Sequence, residues 1–217
     1  MKSSAWSSAL LLALTVAGGC GTVQPMGAGK TPVMTVAAPN FSVPSDLALL
    51  RENGRVSVGE SYDKALEVFP KPPKAFDITD GPPGLPADYQ ADGWQNSTEG
   101  FGVLETQGLI ALAIYERMST TQDTADAVVA RHEQALGQTS ESRLDYKDVR
   151  FWFWDDGKRR VMICTVSAGQ GKVALTVAVG DDGLMNALGM SPTSAERNGQ
   201  AAQSLFDAHR SQGEKKS

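Results

Sequence analysis

The chain has 217 residues, of which 41% are hydrophobic and 21% are charged, and its formal net charge is -5. These proportions are those of ordinary globular proteins and exclude a wholly disordered chain, a collagen-like repeat and a polytopic membrane protein. The acidic balance argues against nucleic acid as a partner, because binding to phosphates requires concentrated lysine and arginine. Two cysteines and two histidines supply few metal ligands, so we predict neither a metal nor another cofactor.

The N-terminus has the layout of a secretory signal peptide. Lys2 provides a basic start, residues 9–16 form an apolar run, and three small residues at 17–19 precede Cys20. The apolar run is shorter than the roughly 20 residues that a helix needs to span a bilayer. The pattern therefore predicts a cleaved export signal at residues 1–19.

The sequence Ala-Gly-Gly-Cys that ends at Cys20 resembles the lipobox of bacterial lipoprotein signal peptides, with Ala17 where leucine is commonest. The resemblance implies cleavage before Cys20, diacylation of that cysteine (palmitate included), and retention of the protein on a membrane by lipid. Gly21 follows in place of aspartate, which in the sorting pattern of these lipoproteins favours the outer membrane, facing the periplasm. The alternatives are an ordinary signal peptide in which the cysteine occurs by chance, and a buried apolar helix.

Residues 20–54 comprise the lipidated Cys20 and a segment rich in proline and glycine. No helical or strand period runs through this segment, which contains Pro25, Pro32, Pro39 and Pro44. We therefore predict an extended tether that lifts the folded body off the membrane. After lipidation Cys164 is the only free thiol, so no intramolecular disulfide is expected.

The first half of the body, residues 55–118, is predicted to be a short helix followed by antiparallel strands. The apolar face of the helix has the spacing i, i+3, i+4 and i+7, at Tyr62, Ala65, Leu66 and Phe69. Ser61 is a candidate N-cap, and prolines follow the helix. Strand-like runs lie at 93–95, 101–105 and 109–115, and the glycine at 108 predicts a hairpin between the last two.

The second half, residues 119–190, repeats that order. A helix is predicted to begin at Asp123 or Thr124 and to end at Gly137. Strands are predicted at residues 143–146, 149–154, 160–166 and 173–179, with a two-residue hairpin loop at Asp156-Gly157. Residues 191–217 are predicted to form a C-terminal helix, capped by Thr193 with Glu196, and a polar tail.

This order of elements predicts an α+β fold of two halves, each a helix with an antiparallel meander, followed by a C-terminal helix. A tandem duplication is one hypothesis, and a single α+β domain whose halves share an element order is the other. With the lipid anchor, the pattern Val-x-x-Gly-x-Ser from Val56 to Ser61 resembles SmpA/OmlA-type outer-membrane assembly lipoproteins. The tandem arrangement is similar to β-lactamase-inhibitor-like modules. Both resemblances concern architecture, and no functional residue is carried over from them.

Two residues were considered for catalysis. His132 lies on the apolar face of its predicted helix, where a core histidine with one hydrogen-bond partner is the expectation. Cys164 lies among aliphatic residues of a predicted strand, which favours a packing role. A dyad of the two has no third group to orient it, so we predict no catalytic residue and no enzymatic activity.

The candidate interface comes from the run of residues 149–154, in which aromatic and basic side chains alternate. The alternation places Arg150, Trp152 and Trp154 on one face, and the two-residue loop places Arg159 opposite Trp154. Two indoles with two guanidinium groups are suited to protein interfaces. The alternative is that this face packs against the other half of the chain or the C-terminal helix.

The expected function is that of a membrane-anchored, non-catalytic envelope lipoprotein that binds or assembles with an envelope protein through this face. The alternative is a small-ligand-binding lipoprotein with a pocket between the two halves. A flat exposed aromatic patch would favour the first, and a concave pocket with convergent polar groups would favour the second.

Overall fold

The computed structural model describes residues 33–139, 144–146 and 149–195. In chain order its elements are β1 (Leu49–Arg51), β2 (Gly54–Val56), α1 (Tyr62–Val68), β3 (Phe76–Ile78), β4 (Tyr89–Gln95), β5 (Glu99–Thr106), β6 (Leu109–Thr121), α2 (Gln122–Leu136), β7 (Leu144–Tyr146), β8 (Val149–Asp155), β9 (Arg159–Gly169), β10 (Lys172–Asp181) and α3 (Asp182–Ala187). In these ranges no helix is long and apolar enough to cross a membrane.

Eight of the strands form one antiparallel sheet, in the order β3-β4-β5-β6-β10-β9-β8-β7. It consists of two four-stranded meanders, β3–β6 and β7–β10, whose last strands, β6 and β10, pair at the centre of the sheet. In each meander the strands therefore run in chain order from the edge of the sheet to its centre. Each meander follows a helix, α1 in the first half and α2 in the second. The chain is therefore an α+β protein of two helix-plus-meander halves, as the sequence predicts.

The two faces of the sheet are covered differently. The first face packs under α1, α2 and the separate β1–β2 hairpin, and its large side chains include Trp94, Phe101, Tyr115, Trp152 and Trp154. The second face carries Phe151, Phe153, Met162 and Cys164, and packs against α3. We refer to these as the helix face and the opposite face.

Local capping explains where the helices begin and end. Ser61 caps α1, where its side chain accepts a hydrogen bond from the N–H of Lys64. Thr121 caps α2 in the same way through the N–H of Thr124, and Gly137 ends that helix with a φ of 83°. The α2 start at Gln122 is thus slightly earlier than predicted, because β6 continues directly to its capping threonine. The C-terminal helix is described only to Ala195, and its first turn is capped by Ser191 and not by Thr193.

Part of the segment predicted to be a tether, residues 20–54, packs against the folded body. Met34, Val36 and Phe41 pack against the core of the opposite face, although this stretch has no secondary-structure period. Leu49 is buried on the helix face as part of β1. Apolar side chains in an irregular segment can still be buried when a sheet offers an uncovered face, which periodicity does not reveal. Residues 20–32 lie outside the described residues.

The β8–β9 hairpin differs from the prediction by two residues in register. Trp154 is opposite Val161 and Trp152 is opposite Ile163, because Asp155 pairs with Arg160. The backbone N–H of Asp156 donates to the carbonyl of Arg159 at 3.2 Å, so the loop is Gly157-Lys158, one residue later than predicted, and the side chain of Asp156 accepts hydrogen bonds from two backbone N–H groups of that turn. A shift of two preserves which side chains share a face, so the predicted separation of the indoles from the phenylalanines is confirmed.

Candidate functional site

The predicted interface face lies in the core. Only 5% of Trp152, 2% of Trp154 and 2% of Arg159 is exposed, while Arg150 is half-buried. The indole Nε1 of Trp154 donates a hydrogen bond to the carbonyl of Gly137 at 2.9 Å, at the end of α2. The expectation of an exposed aromatic docking surface is therefore wrong. The face is buried, as the packing alternative expects, but it is covered by α2 of its own half, which that alternative did not name.

Arg159 is part of a buried ionic network that the sequence analysis missed. Its guanidinium binds a carboxylate oxygen of Asp181 at 3.0 Å and the carbonyl of Asn40 at 2.7 Å. The neighbouring Arg160 contacts Asp155 at 2.6 Å and Asp182 at 2.5 Å. The carboxylates of Asp155, Asp181 and Asp182 thus neutralise two buried arginines.

His132 and Cys164 lie on opposite faces of the sheet. The His132 ring is fully buried beside Trp154, with 5.9 Å between ring centres. Cys164 belongs to the core of the opposite face, where burial and the nearby charge of Glu116 raise the pKa of its thiol to about 12. The sheet separates the two side chains, and a thiol with that pKa is protonated at neutral pH.

A cleft of about 440 Å³ opens on the helix face where the two halves meet. Its floor spans the two central strands, with Tyr115 of β6 directly opposite Val177 of β10 in the sheet register. The β1–β2 hairpin and Phe69, which follows α1, line one side, and α2 lines the other. The volume lies in the range of roughly 300–1,000 Å³ that is common for small-molecule sites.

One arginine is fixed among the aromatic rings of the cleft. The guanidinium carbon of Arg51 lies 5.0 Å from the ring centre of Phe69 and 5.6 Å from that of Tyr115. One of its five N–H donors binds the carbonyl of Val68 at 3.1 Å, which ties the hairpin to the end of α1. Stacking on the rings and this hydrogen bond hold its charge at the edge of an apolar floor.

The phenol of Tyr115 is kept neutral. Its hydroxyl donates a hydrogen bond to Glu99 at 2.7 Å. Burial first, and then the hydrogen bond to this carboxylate and its charge, raise the pKa of Tyr115 to about 12. The floor of the cleft therefore carries no negative charge at physiological pH.

Two further arginines line the cleft, one in each half. Arg117, on β6, is half-buried, and its guanidinium makes no hydrogen bond or ion pair with any residue that the structure describes. Arg131, on α2, contacts Glu52 at 3.2 Å, and 88% of the Glu52 side chain is exposed. Neither arginine was singled out in the sequence analysis. For Arg117 the available signal was the strand alternation, which continues from Tyr115 past the predicted end of β6.

The lipidation residue Cys20 lies outside the described residues, so its place in the fold is not part of this description. Within the described ranges no three residues among His, Cys, Asp and Glu are grouped so that they could hold a metal ion.

Neither a family model nor a curated protein sequence matches this chain. Among solved structures, a cysteine-rich secretory protein from Staphylococcus aureus matches with a TM-score of 0.32 and 11% identity. The match covers 59% of this chain and 44% of that protein, so the chain spans less than half of its length. A likeness at this level carries no argument about function.

Proposed function

We propose that this chain is a membrane-anchored envelope lipoprotein that binds a small molecule in the cleft between its two halves. The observation that carries the proposal is the cleft itself. A concave site of small-molecule volume combines an aromatic and aliphatic floor with several polar groups at its sides. This is the combination that distinguishes a ligand site from a flat protein-docking patch.

Binding of a protein through the tryptophans loses its support, because those side chains are buried under α2. The lipoprotein part of the proposal rests on the export signal and the lipobox that ends at Cys20. We propose attachment to the outer membrane, with the folded body in the periplasm.

The test uses the full-length chain carrying Cys20→Ser, which has no acyl chain and needs no detergent. Two fluorescent probes share one aromatic skeleton: 1-anilinonaphthalene-8-sulfonate bears a sulfonate, and N-phenyl-1-naphthylamine bears none. We expect at least one probe to bind with a saturable fluorescence increase.

The cleft is identified by a pair of substitutions on α2. Ala127 lines the cleft, so Ala127→Trp fills it and is expected to abolish the saturable binding. Ala130 is exposed and does not line the cleft, so Ala130→Trp is expected to leave binding unchanged. Both variants retain the same N-terminal segment, so any probe that binds to this segment contributes equally to the two measurements and not to the difference between them. If neither probe shows binding that depends on Ala127, the proposed function is wrong.

A further inference from the structure

The cleft concentrates positive charge in an acidic protein. Its lining contains the three arginines Arg51, Arg117 and Arg131, and one acidic residue, Glu52. The chain as a whole has a net charge of -5. Since the folded chain must hold these like charges near one another, the cleft is electrostatically complementary to an anion.

The arginines differ in how far their donors are already used. Arg51 is held by the Val68 carbonyl and two rings, and so helps to shape the site. Arg131 has one partner, Glu52, and an ion pair this exposed contributes little. The guanidinium of Arg117 has no hydrogen bond or ion pair among the described residues, and it offers five donors in a planar fork.

An apolar surface lies beside these charges in the same cleft. Tyr115 precedes Arg117 by two positions on β6, so both side chains lie on the helix face of that strand. Val177 lies across from Tyr115 on β10, and Phe69 stacks near it with 5.0 Å between ring centres. Phe69 and Val177 are themselves buried, so the apolar surface open to a ligand beside Arg117 is the exposed edge of Tyr115 together with Leu50 and Val128 at the sides of the cleft.

We infer that the cleft binds a small amphiphilic anion, whose carboxylate, sulfonate or phosphate contacts Arg117 and whose apolar part covers the exposed edge of Tyr115 and the side chains of Leu50 and Val128 at the sides of the cleft. This inference rests on the proposed function and names the ligand class for the same site. Arg131 and Arg51 add to the attraction of the anionic group. Glu52 opposes it at the rim.

The two probes test the inference, because they differ in the sulfonate alone. Arg117→Gln is expected to weaken binding of the sulfonate probe about tenfold, as expected for loss of a charge-assisted hydrogen bond, and to leave the neutral probe within twofold. Arg55 is exposed on β2 and does not line the cleft. Arg55→Gln changes net charge equally and is expected to leave both probes unaffected.

The acidic residue at the rim provides the reciprocal variant. Glu52→Gln frees Arg131 and removes the negative charge, so it is expected to tighten the sulfonate probe about twofold to threefold. Glu133 is exposed on α2 away from the cleft, and Glu133→Gln is expected to have no such effect.

The two parts of the inference can fail separately from the proposed function. If Ala127→Trp blocks binding of both probes but Arg117→Gln does not weaken the sulfonate probe more than the neutral probe, the cleft is a binding site and the anionic class of ligand is wrong. Displacement of the sulfonate probe by decanoate, and not by the same concentration of inorganic phosphate, is the expected result. If inorganic phosphate displaces the probe as well as decanoate does, the ligand needs no apolar part. The cleft would then be a simple anion site, and the amphiphilic class would be wrong.

Discussion

The backbone N–H of Leu50 donates a hydrogen bond to Nε2 of His132 at 3.1 Å, across 82 positions of sequence. The other ring nitrogen, Nδ1, lies 2.8 Å from the carbonyl of Val128. Nε2 must be unprotonated to accept, so Nδ1 carries the proton and donates to that carbonyl. The neutral imidazole thereby links the β1–β2 hairpin to α2, which are the two sides of the cleft.

Acid is expected to weaken this link. Burial, opposed by the hydrogen bond to the Val128 carbonyl and assisted by the charge of Arg131, lowers the pKa of His132 from 6.5 to about 4. In the unfolded chain the ring binds a proton near pH 6.5, whereas in the folded chain it does so only near pH 4. The neutral ring therefore contributes its full share to the free energy of unfolding above pH 6.5. This contribution, about 2–3 kcal/mol, is lost as the pH falls towards 4.

Urea unfolding at pH 7, 6, 5 and 4 measures this loss. In His132→Gln the amide has no proton to gain in this range, so the difference between wild type and variant should shrink as the pH falls. A constant difference between the two proteins from pH 7 to pH 4 would contradict the assignment.

Glu116 is expected to act in the opposite direction. Its side chain is buried, and Thr176 Oγ1 donates to it at 3.5 Å. Burial raises its pKa from 4.5 to about 8, so the folded chain holds a proton that the unfolded chain has released. The free energy of unfolding should therefore fall by on the order of 2–4 kcal/mol as the pH rises from 4.5 to 8.

Glu116→Gln removes this titration. The variant should be close to wild type at pH 5 and more stable than wild type at pH 9, measured by thermal or urea unfolding. Glu133→Gln, at an exposed position of α2, controls for the change of net charge. Equal effects of the two substitutions at pH 9 would count against a buried, protonated Glu116.

Trp154 is expected to contribute to stability and not to an exposed interface. Trp154→Ala removes a buried indole and its hydrogen bond to Gly137, so the free energy of unfolding should fall by about 3–5 kcal/mol. Trp154→Phe retains much of the packing and should cost less. Phe76 is 73% exposed, and Phe76→Ala should change stability little. An unchanged urea midpoint for Trp154→Ala would show that the indole is not core.

Arg160 is expected to be essential to the ionic network at the β8–β9 end of the sheet. Besides Asp155 and Asp182, its guanidinium donates to the side chain of Asn186 at 2.7 Å. Arg160→Met leaves these partly exposed carboxylates without their buried cation, which should cost about 1–3 kcal/mol in urea unfolding. Arg55→Met, at an exposed site, should cost less than about 0.5 kcal/mol. Equal effects would show that the network contributes no stability.

Cys20→Ala is expected to abolish lipid attachment. In a two-membrane bacterial host, the wild-type chain should incorporate radiolabelled palmitate and fractionate with the outer membrane, whereas the variant should do neither. Cys164→Ala is the matched control, since that thiol is buried in the fold, and it should label as wild type. Labelling of Cys20→Ala would contradict the lipobox assignment.

The sequence by itself determined the local elements. The helical spacing around Ala65 and the capping residue Ser61 predicted the first main helix, and the terminating Gly137 helped to predict the second, because these signals act within a few residues. Strand alternation likewise separated Trp152 and Trp154 from Phe151 and Phe153. A pleated strand places alternate side chains on opposite faces in any tertiary context.

Only the tertiary structure decided which surfaces are covered and which groups meet. Alternation places Trp154 on a face but contains no information that α2 covers that face. The cleft exists because β6 and β10 pair, which brings Tyr115 of the first half opposite Val177 of the second. Arg51, Arg117 and Arg131 come from three separate elements, so no spacing in the sequence could indicate that they line one site. Their proximity follows from long-range packing, and that packing also decides what this cleft can bind.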